Sequence, residues 1–298
     1  MKIIRVRFVL WLSCCGVLLM GYLRGEAVPQ YAVRYGQTCG LCHINPTGGG
    51  MRNLYGAQFF SYMDLPWKEL DDFSKLEEFN PQFGRHFQMG ADFRGQYYFS
   101  NRDEEGNSFL TMQGDLYVTI APIPQVLFYL DRGLYGGFES FVLIQGLPYG
   151  AAARVGRFVP GFGWRFVDHK SFTRVYSQLG LRGEEDGVEI GMYAMPSEFS
   201  LAITNGKPQG VIDPDRGKRI YGRGAIRYSL WELNFTTGLS SRWGELPLGK
   251  GSEVNLPRNI LGSMFLGINW KMLTYLWEIN GLFYRDKWRE LTAANLLN

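Results

Sequence analysis

From residue 86 onward, apolar and polar side chains alternate one by one over runs too long for an ordinary soluble sheet. Phe87, Met89, Ala91, Phe93, Gly95, Tyr97 and Phe99 fall on one face of a period-two repeat, and His86, Gln88, Asp92, Arg94 and Gln96 fall on the other. The next run sets Leu110, Met112, Leu116, Val118 and Ile120 against Thr111, Gln113, Asp115, Tyr117 and Thr119. Phe138–Gln145, Val188–Met195, Tyr221–Ser229, Glu232–Arg242, Ile260–Trp270 and Tyr275–Tyr284 repeat the pattern. Strands of soluble sandwiches usually span about 5–6 residues, whereas several of these span about 10 or more. That length suits strands crossing an outer membrane obliquely, with apolar residues toward lipid and polar ones toward a lumen.

The connections fit the same architecture. Ala121-Pro122-Ile123-Pro124, the Tyr228–Glu232 corner and Trp270–Thr274 read as tight turns. Asn101–Ser108, Pro160–Arg174, Gly206–Arg219 and Gly244–Asn259 read as long polar loops. Tyr97, Phe99, Trp231, Trp243, Trp270, Tyr275, Trp277 and Tyr284 stand near strand ends, where interfacial aromatic girdles belong. The segment from Arg174 to Asn205 parses as either two or three strands. The expectation is an all-β protein: an antiparallel outer-membrane β-barrel of about 10–12 strands, with an even strand count.

The N-terminus reads as an export signal. Lys2, Arg5 and Arg7 precede an apolar run from Phe8 to Leu23, and Gly25-Glu26-Ala27 supplies small residues for cleavage after Ala27. The apolar run, about 16 residues, falls short of the roughly 20 that a spanning helix needs. Cys14 and Cys15 would leave with residues 1–27, so the exported chain keeps Cys39 and Cys42 alone. Cleavage also removes four basic residues and one acidic residue, leaving 27 of each. The basic balance therefore belongs to the targeting segment, and nothing argues for a nucleic-acid partner.

Residues 28–85 lack the strand pattern. They contain Cys39-Gly40-Leu41-Cys42-His43, the spacing of a c-type haem attachment site: two thiols one turn apart add to one porphyrin, and the adjacent imidazole becomes the proximal iron ligand. A Cys39–Cys42 disulfide or a thioredoxin-like redox pair has the same Cys-x-x-Cys core. A redox pair should open a helix within a strand-helix-strand unit, and this one sits in a Pro/Gly-rich segment before any strand. One pentad implies one covalent haem c. The segment from Gln37 to Gly56 then reads as a haem loop, followed by a short helical stretch to Tyr62, and Pro66 opens a second helix, Trp67–Phe79. A carbonyl near Pro46 can accept the His43 ring N–H, and Gly48–Gly50 let the backbone pass close to a macrocycle. Three parts result: signal peptide 1–27, haem-binding plug 28–85 and transmembrane barrel 86–298.

On Cys39, Cys42 and His43, and on this layout, the chain resembles the fused cytochrome-porins, outer-membrane barrels preceded by a monohaem c-type segment. The stretch Arg154-Val-Gly-Arg-Phe-Val-Pro-Gly-Phe-Gly163 and the tetrad Ile203-Thr-Asn-Gly206 are similar to pieces of phosphate-selective-type porins. The resemblance implies an electron conduit that joins a periplasmic electron carrier to an extracellular donor or acceptor through the lipid of the outer membrane. A solute porin with a structural or sensing haem plug is the alternative. The chain departs from the barrel pattern at Leu296-Leu297-Asn298, so Tyr284 or Trp288 would serve as terminal aromatic.

Candidates for the distal iron ligand are His169 in Val167-Asp168-His169-Lys170, His86 before the first strand, and the thioethers of Met51, Met63 and Met89. An open site is the remaining choice, and only that choice suits a haem peroxidase or gas-binding protein. Asp92, Arg94, Asp115, Glu139, Glu189, Arg223, Arg227 and Glu278 fall on the lumen face with both signs, so ion pairs that hold the plug are expected of them. No Ser/His/Asp, metal-carboxylate or phosphate-loop constellation stands out, which favours electron transfer over substrate turnover.

Overall fold

A computed structural model of the chain describes residues 29–59, 80–100, 106–134, 136–166, 171–180, 183–206, 217–244 and 259–284. Among these, twelve strands form one antiparallel sheet in strict chain order. They are β1 (Gln82–Phe83), β2 (Phe87–Tyr98), β3 (Ser108–Ile123), β4 (Val126–Gly133), β5 (Phe138–Leu147), β6 (Ala151–Phe158), β7 (Glu185–Met192), β8 (Ser197–Thr204), β9 (Arg219–Leu230), β10 (Leu233–Gly244), β11 (Asn259–Trp270) and β12 (Leu273–Tyr284). Two short helices accompany them, α1 (Pro29–Arg34) and α2 (Phe172–Ser177). None of the described helices is long and apolar enough to cross a membrane. The expected signal peptide, the Trp67–Phe79 helix, Met63, His169 and Trp288 lie outside the described residues.

Connections alternate in length. The β9–β10 and β11–β12 links are two-residue turns, Trp231-Glu232 and Lys271-Met272, whose first residues take the positive φ of 54° and 52° that primed hairpin turns require. Short links also join β3 to β4, β5 to β6 and β7 to β8, all at the same end of the sheet, while the links to the opposite end are longer as a group. Arg174 to Asn205 resolves into α2 and two strands, β7 and β8. The expected helical stretch before Tyr62 contains one wide turn, Tyr55–Phe59.

Residue parity decides which way each side chain faces. On β8, Glu198, Ser200, Ala202 and Thr204 are buried while Phe199, Leu201 and Ile203 are exposed. β10 and β11 repeat this with Thr236, Ser240, Arg242, Asn259 and Ser263 inside and Leu239, Ile260 and Met264 outside. Polar groups turned inward and apolar groups turned outward reverse the order of a soluble sheet. Exposed aromatics gather at both ends: Tyr228, Trp231, Trp270 and Tyr275 by the short turns, and Tyr97, Phe99, Phe109, Trp243 and Phe283 by the long links. One expected phase was wrong. The register of β2 against β3 shifts at Arg94/Gly95, so Thr111 pairs with Gly95 and Leu110 with Gln96. The bulge inserts one residue, Met112, which moves Leu110 off the apolar face it was assigned.

Two adjacent residues reveal the curvature. The backbone N–H of Trp164 donates to Glu278 on β12 at 2.9 Å, and Arg165 pairs with Glu139 on β5 at 2.8 Å. In a flat sheet those strands would stand seven spacings, roughly 34 Å, apart. The sheet therefore curls until β5 and β12 face one another across its inner side. Two segments fill that side. Residues 29–56 arrive from the short-turn end, with α1 packed on β10, β11 and β12. Residues 159–166 and 171–179 fold inward from the other end. Val33 of α1 and Trp164 then share one apolar cluster with Ala225 and Phe265, and Met51, Phe162 and Leu179 share another with Tyr117, Tyr129, Phe141 and Leu143.

Candidate functional site

Cys39–Leu41 forms a single 3-10 turn. The amides of Cys42 and His43 both donate to the Cys39 carbonyl, at 3.2 and 3.0 Å, so the two thiols stand one tight turn apart. Neither is in a disulfide, and both are partly buried. Asn53 braces the turn: its side-chain amide donates to the carbonyls of Gly40 and Leu41, and its backbone N–H donates to that of Cys42. His43 then pairs with Arg52 as an antiparallel bridge, so residues 43–52 make a small hairpin.

Three consecutive left-handed glycines shape the tip of that hairpin, with φ of +85°, +77° and +61° at Gly48, Gly49 and Gly50. A side chain on Gly48 would press on Cys39, one on Gly49 would enter the Arg165 guanidinium, and one on Gly50 would overlap the Tyr129 hydroxyl. Close approach is thus required at all three. The partners are Cys39 and the surrounding protein.

Side chains from several strands clamp the hairpin. Arg154 on β6 donates to the Asn45 side-chain oxygen at 2.8 Å while pairing with Glu189 of β7 at 2.9 Å, and both charged side chains are about 2% exposed. Arg165 donates to the Thr47 hydroxyl at 3.1 Å. The Met51 N–H donates to Tyr129 on β4, Gln88 on β2 donates to the Arg52 carbonyl, and Asn234 on β10 donates to the Arg34 carbonyl. Of the inward charges read from parity, Glu139, Glu189, Glu278, Arg223 and Arg227 all sit in buried ion pairs. Sequence reasoning missed their four partners, Arg154, Arg165, Arg174 and Glu198. Arg165 and Arg174 lie off the strands, where no periodicity marks them, and Arg154 and Glu198 carried only their parity.

Burial, reinforced by the Arg52 and Arg165 guanidiniums, lowers the His43 imidazole to about 4, so the ring is neutral at physiological pH, the form that ligates a metal. The Gly50 and Gly49 carbonyls of the same bend oppose this shift, although Nδ1 makes no hydrogen bond of normal geometry among the described residues. Burial first, then the Glu198 carboxylate, raises the Cys39 thiol. Two thiols on one turn, neither in a disulfide, and a neutral imidazole beside them are the donor set that a covalent haem uses.

Among the described residues, the other sequence candidates are not drawn into this cluster. His86 is exposed at the short-turn end with Nδ1 2.7 Å from the Ala121 carbonyl. Met51 is buried against the wall, and Met89 is exposed on the outer face of β2, which removes it as an inner thioether. A cavity of about 30 Å³ lies beside Cys39, and another of about 90 Å³ is lined by Gly50, Asp115, Asp131, Glu139 and Glu184. Comparison with protein-family models, with curated proteins and with solved structures finds no match to this chain.

Proposed function

We propose that the sheet closes as a barrel in a bacterial outer membrane, after cleavage of residues 1–27, and that residues 28–85 carry one covalent haem c within it. On this reading the protein is an electron conduit between a periplasmic carrier and an extracellular donor or acceptor. One observation carries the proposal: the pentad Cys39–His43 lies on the inner, polar side of a curled sheet whose outer side is apolar. A redox-cofactor attachment loop inside an otherwise insulating wall suits electron passage.

The residues divide the work. Cys39 and Cys42 tether the group and His43 supplies the proximal nitrogen, kept neutral by burial beside Arg52 and Arg165. A haem c supplies one-electron chemistry when bound. Arg154, Arg165 and Tyr129 hold the hairpin by its tip, so His43 keeps a set depth. The clamps engage Arg154 and Tyr129, each the fourth residue of an eight-residue strand, so the loop stands part-way across the apolar band. That depth shortens the distance to either side, which a single redox centre needs in a band about 25 Å tall. Residues 29–56 and the segment carrying Trp164 and Arg165 occupy the inner side of the sheet, which favours the conduit over the solute porin.

Proteoliposomes test the proposal. Electrons from an impermeant external reductant should reach a sealed internal dye, and His43→Ala should stop this while solute flux stays low. Ready solute flux with no dependence on His43 supports the porin instead.

A further inference from the structure

Arg227 on β9 and Thr236 on β10 are cross-strand partners, both facing inward and about 2% and 1% exposed. Arg227 pairs through Nη2 with Glu198 at 2.9 Å. Its Nε and Nη1, the Thr236 hydroxyl and the Nε of Arg174 are all buried without a hydrogen-bond partner among the described residues. These three residues line one cavity, the space of about 30 Å³ beside Cys39, together with Arg165 and Arg223. Buried polar groups are almost always satisfied, so four orphaned groups around one space mark it as built for something.

Charge identifies the missing partner. Arg165 pairs with Glu139 and Arg174 with Glu278, whereas Arg223 and Arg227 share Glu198. Four guanidiniums thus meet three paired carboxylates around the cavity. A water molecule would fit the volume and satisfy Thr236, but it brings no charge to offset the surplus cation. Three of the four orphaned groups are guanidinium N–H donors, so the complement is an acceptor carrying negative charge, and the guanidinium fork favours carboxylate or phosphate oxygens. We propose that this cavity is a buried anion site that takes an anionic oxygen group. Two sources share that chemistry: a propionate of a haem carried on Cys39 and Cys42, which rests on the haem reading above, and a free oxyanion, which does not.

Full-length protein in detergent distinguishes them, with Arg227→Gln as the main variant. Glu198 keeps Arg223 as partner there, so no buried carboxylate is stranded. Arg227→Lys restores the charge, and Thr236→Val serves if Arg227→Gln does not fold. For the free source, calorimetry with inorganic phosphate should show one site that Arg227→Gln weakens at least tenfold and Arg227→Lys partly restores, with Thr236→Val weakening it several-fold. For the propionate source, phosphate does not bind. The pH-dependent step in the haem midpoint potential then moves upward by about one unit or more in Arg227→Gln, because a carboxylate that loses a nearby cation binds its proton more tightly. Arg227→Lys moves it less, and Thr236→Val moves it in the same direction. A pyridine haemochrome of the wild type decides the haem reading separately, and the phosphate titration applies with or without haem. Phosphate binding and midpoint potential both unchanged in folded Arg227→Gln, or in Thr236→Val where that variant stands in, would overturn the anion site.

Discussion

The backbone N–H of Met51 donates to the phenolic oxygen of Tyr129 at 3.0 Å, joining the cysteine-bearing hairpin to the fourth strand across 78 residues of sequence. Both residues are buried, so Tyr129→Phe leaves a backbone donor without water or partner, at a cost of about 1–3 kcal/mol. Amide exchange at residues 43–53 should quicken while that of β9–β11 stays slow. Unchanged exchange across the hairpin would mean that it is not docked on this wall.

Arg154 is the other anchor, and its charge is the vulnerable part. Arg154→Met strands Glu189 in a buried setting, with Tyr193 and Gly161 as the remaining donors, and should destabilise the protein by about 3–5 kcal/mol. Arg154→Met with Glu189→Leu should recover much of that loss, because a buried pair replaced whole is nearly neutral. Denaturant unfolding in detergent measures both. A double variant no better than the single one would place the cost in the Asn45 contact.

The outward apolar face gives a prediction that separates lipid from water. Leu239 is 64% exposed at mid-strand on β10. Facing lipid, Leu239→Arg should cost about 2–4 kcal/mol for folding into vesicles. Facing water, an exposed substitution of this kind stays within about 0.5 kcal/mol. Folding titrations in lipid vesicles read the difference directly.

Much of the strand layout was legible because a period-two pattern needs only one face to be consistent. Glu139, Glu189, Arg223, Arg227 and Glu278 all fell on the inner side by parity and all proved to be in ion pairs. Three features were not legible, each for a physical reason. The bulge at Met112 leaves no mark in hydropathy, so Leu110 was assigned the wrong face. β1 is two residues long, below the length at which alternation means anything. The inward fold of residues 159–166 depends on Arg165 and Trp164 meeting Glu139 and Glu278, contacts between residues 26 and 114 positions apart. The Cys39–His43 pentad was plain from spacing, whereas the Arg227–Thr236 wall beside it appears only when β9 and β10 are in register.

Gly50 gives a local test of the hairpin itself. Its φ of +61° and the Tyr129 hydroxyl where a side chain would lie make Gly50→Ala unfavourable twice over, by strain and by overlap. The left-handed strain alone costs on the order of 1–3 kcal/mol. Gly84→Ala shares the positive φ but has open space around it, so it should cost less. Thermal unfolding of the two variants compares them, and equal losses would argue against close packing of Gly50 on Tyr129.

The central claim is that the Cys39–His43 loop carries a covalent haem inside a membrane barrel, and its most direct measurement is the haem content of the purified outer-membrane protein. The wild type should show one haem per chain by pyridine haemochrome, with the stain remaining on the polypeptide in a denaturing gel. Cys39→Ala with Cys42→Ala should abolish that stain while the protein still folds with β-rich circular dichroism and heat-modifiable migration. A wild type without haem, or a stain that persists in the double variant, would contradict the account.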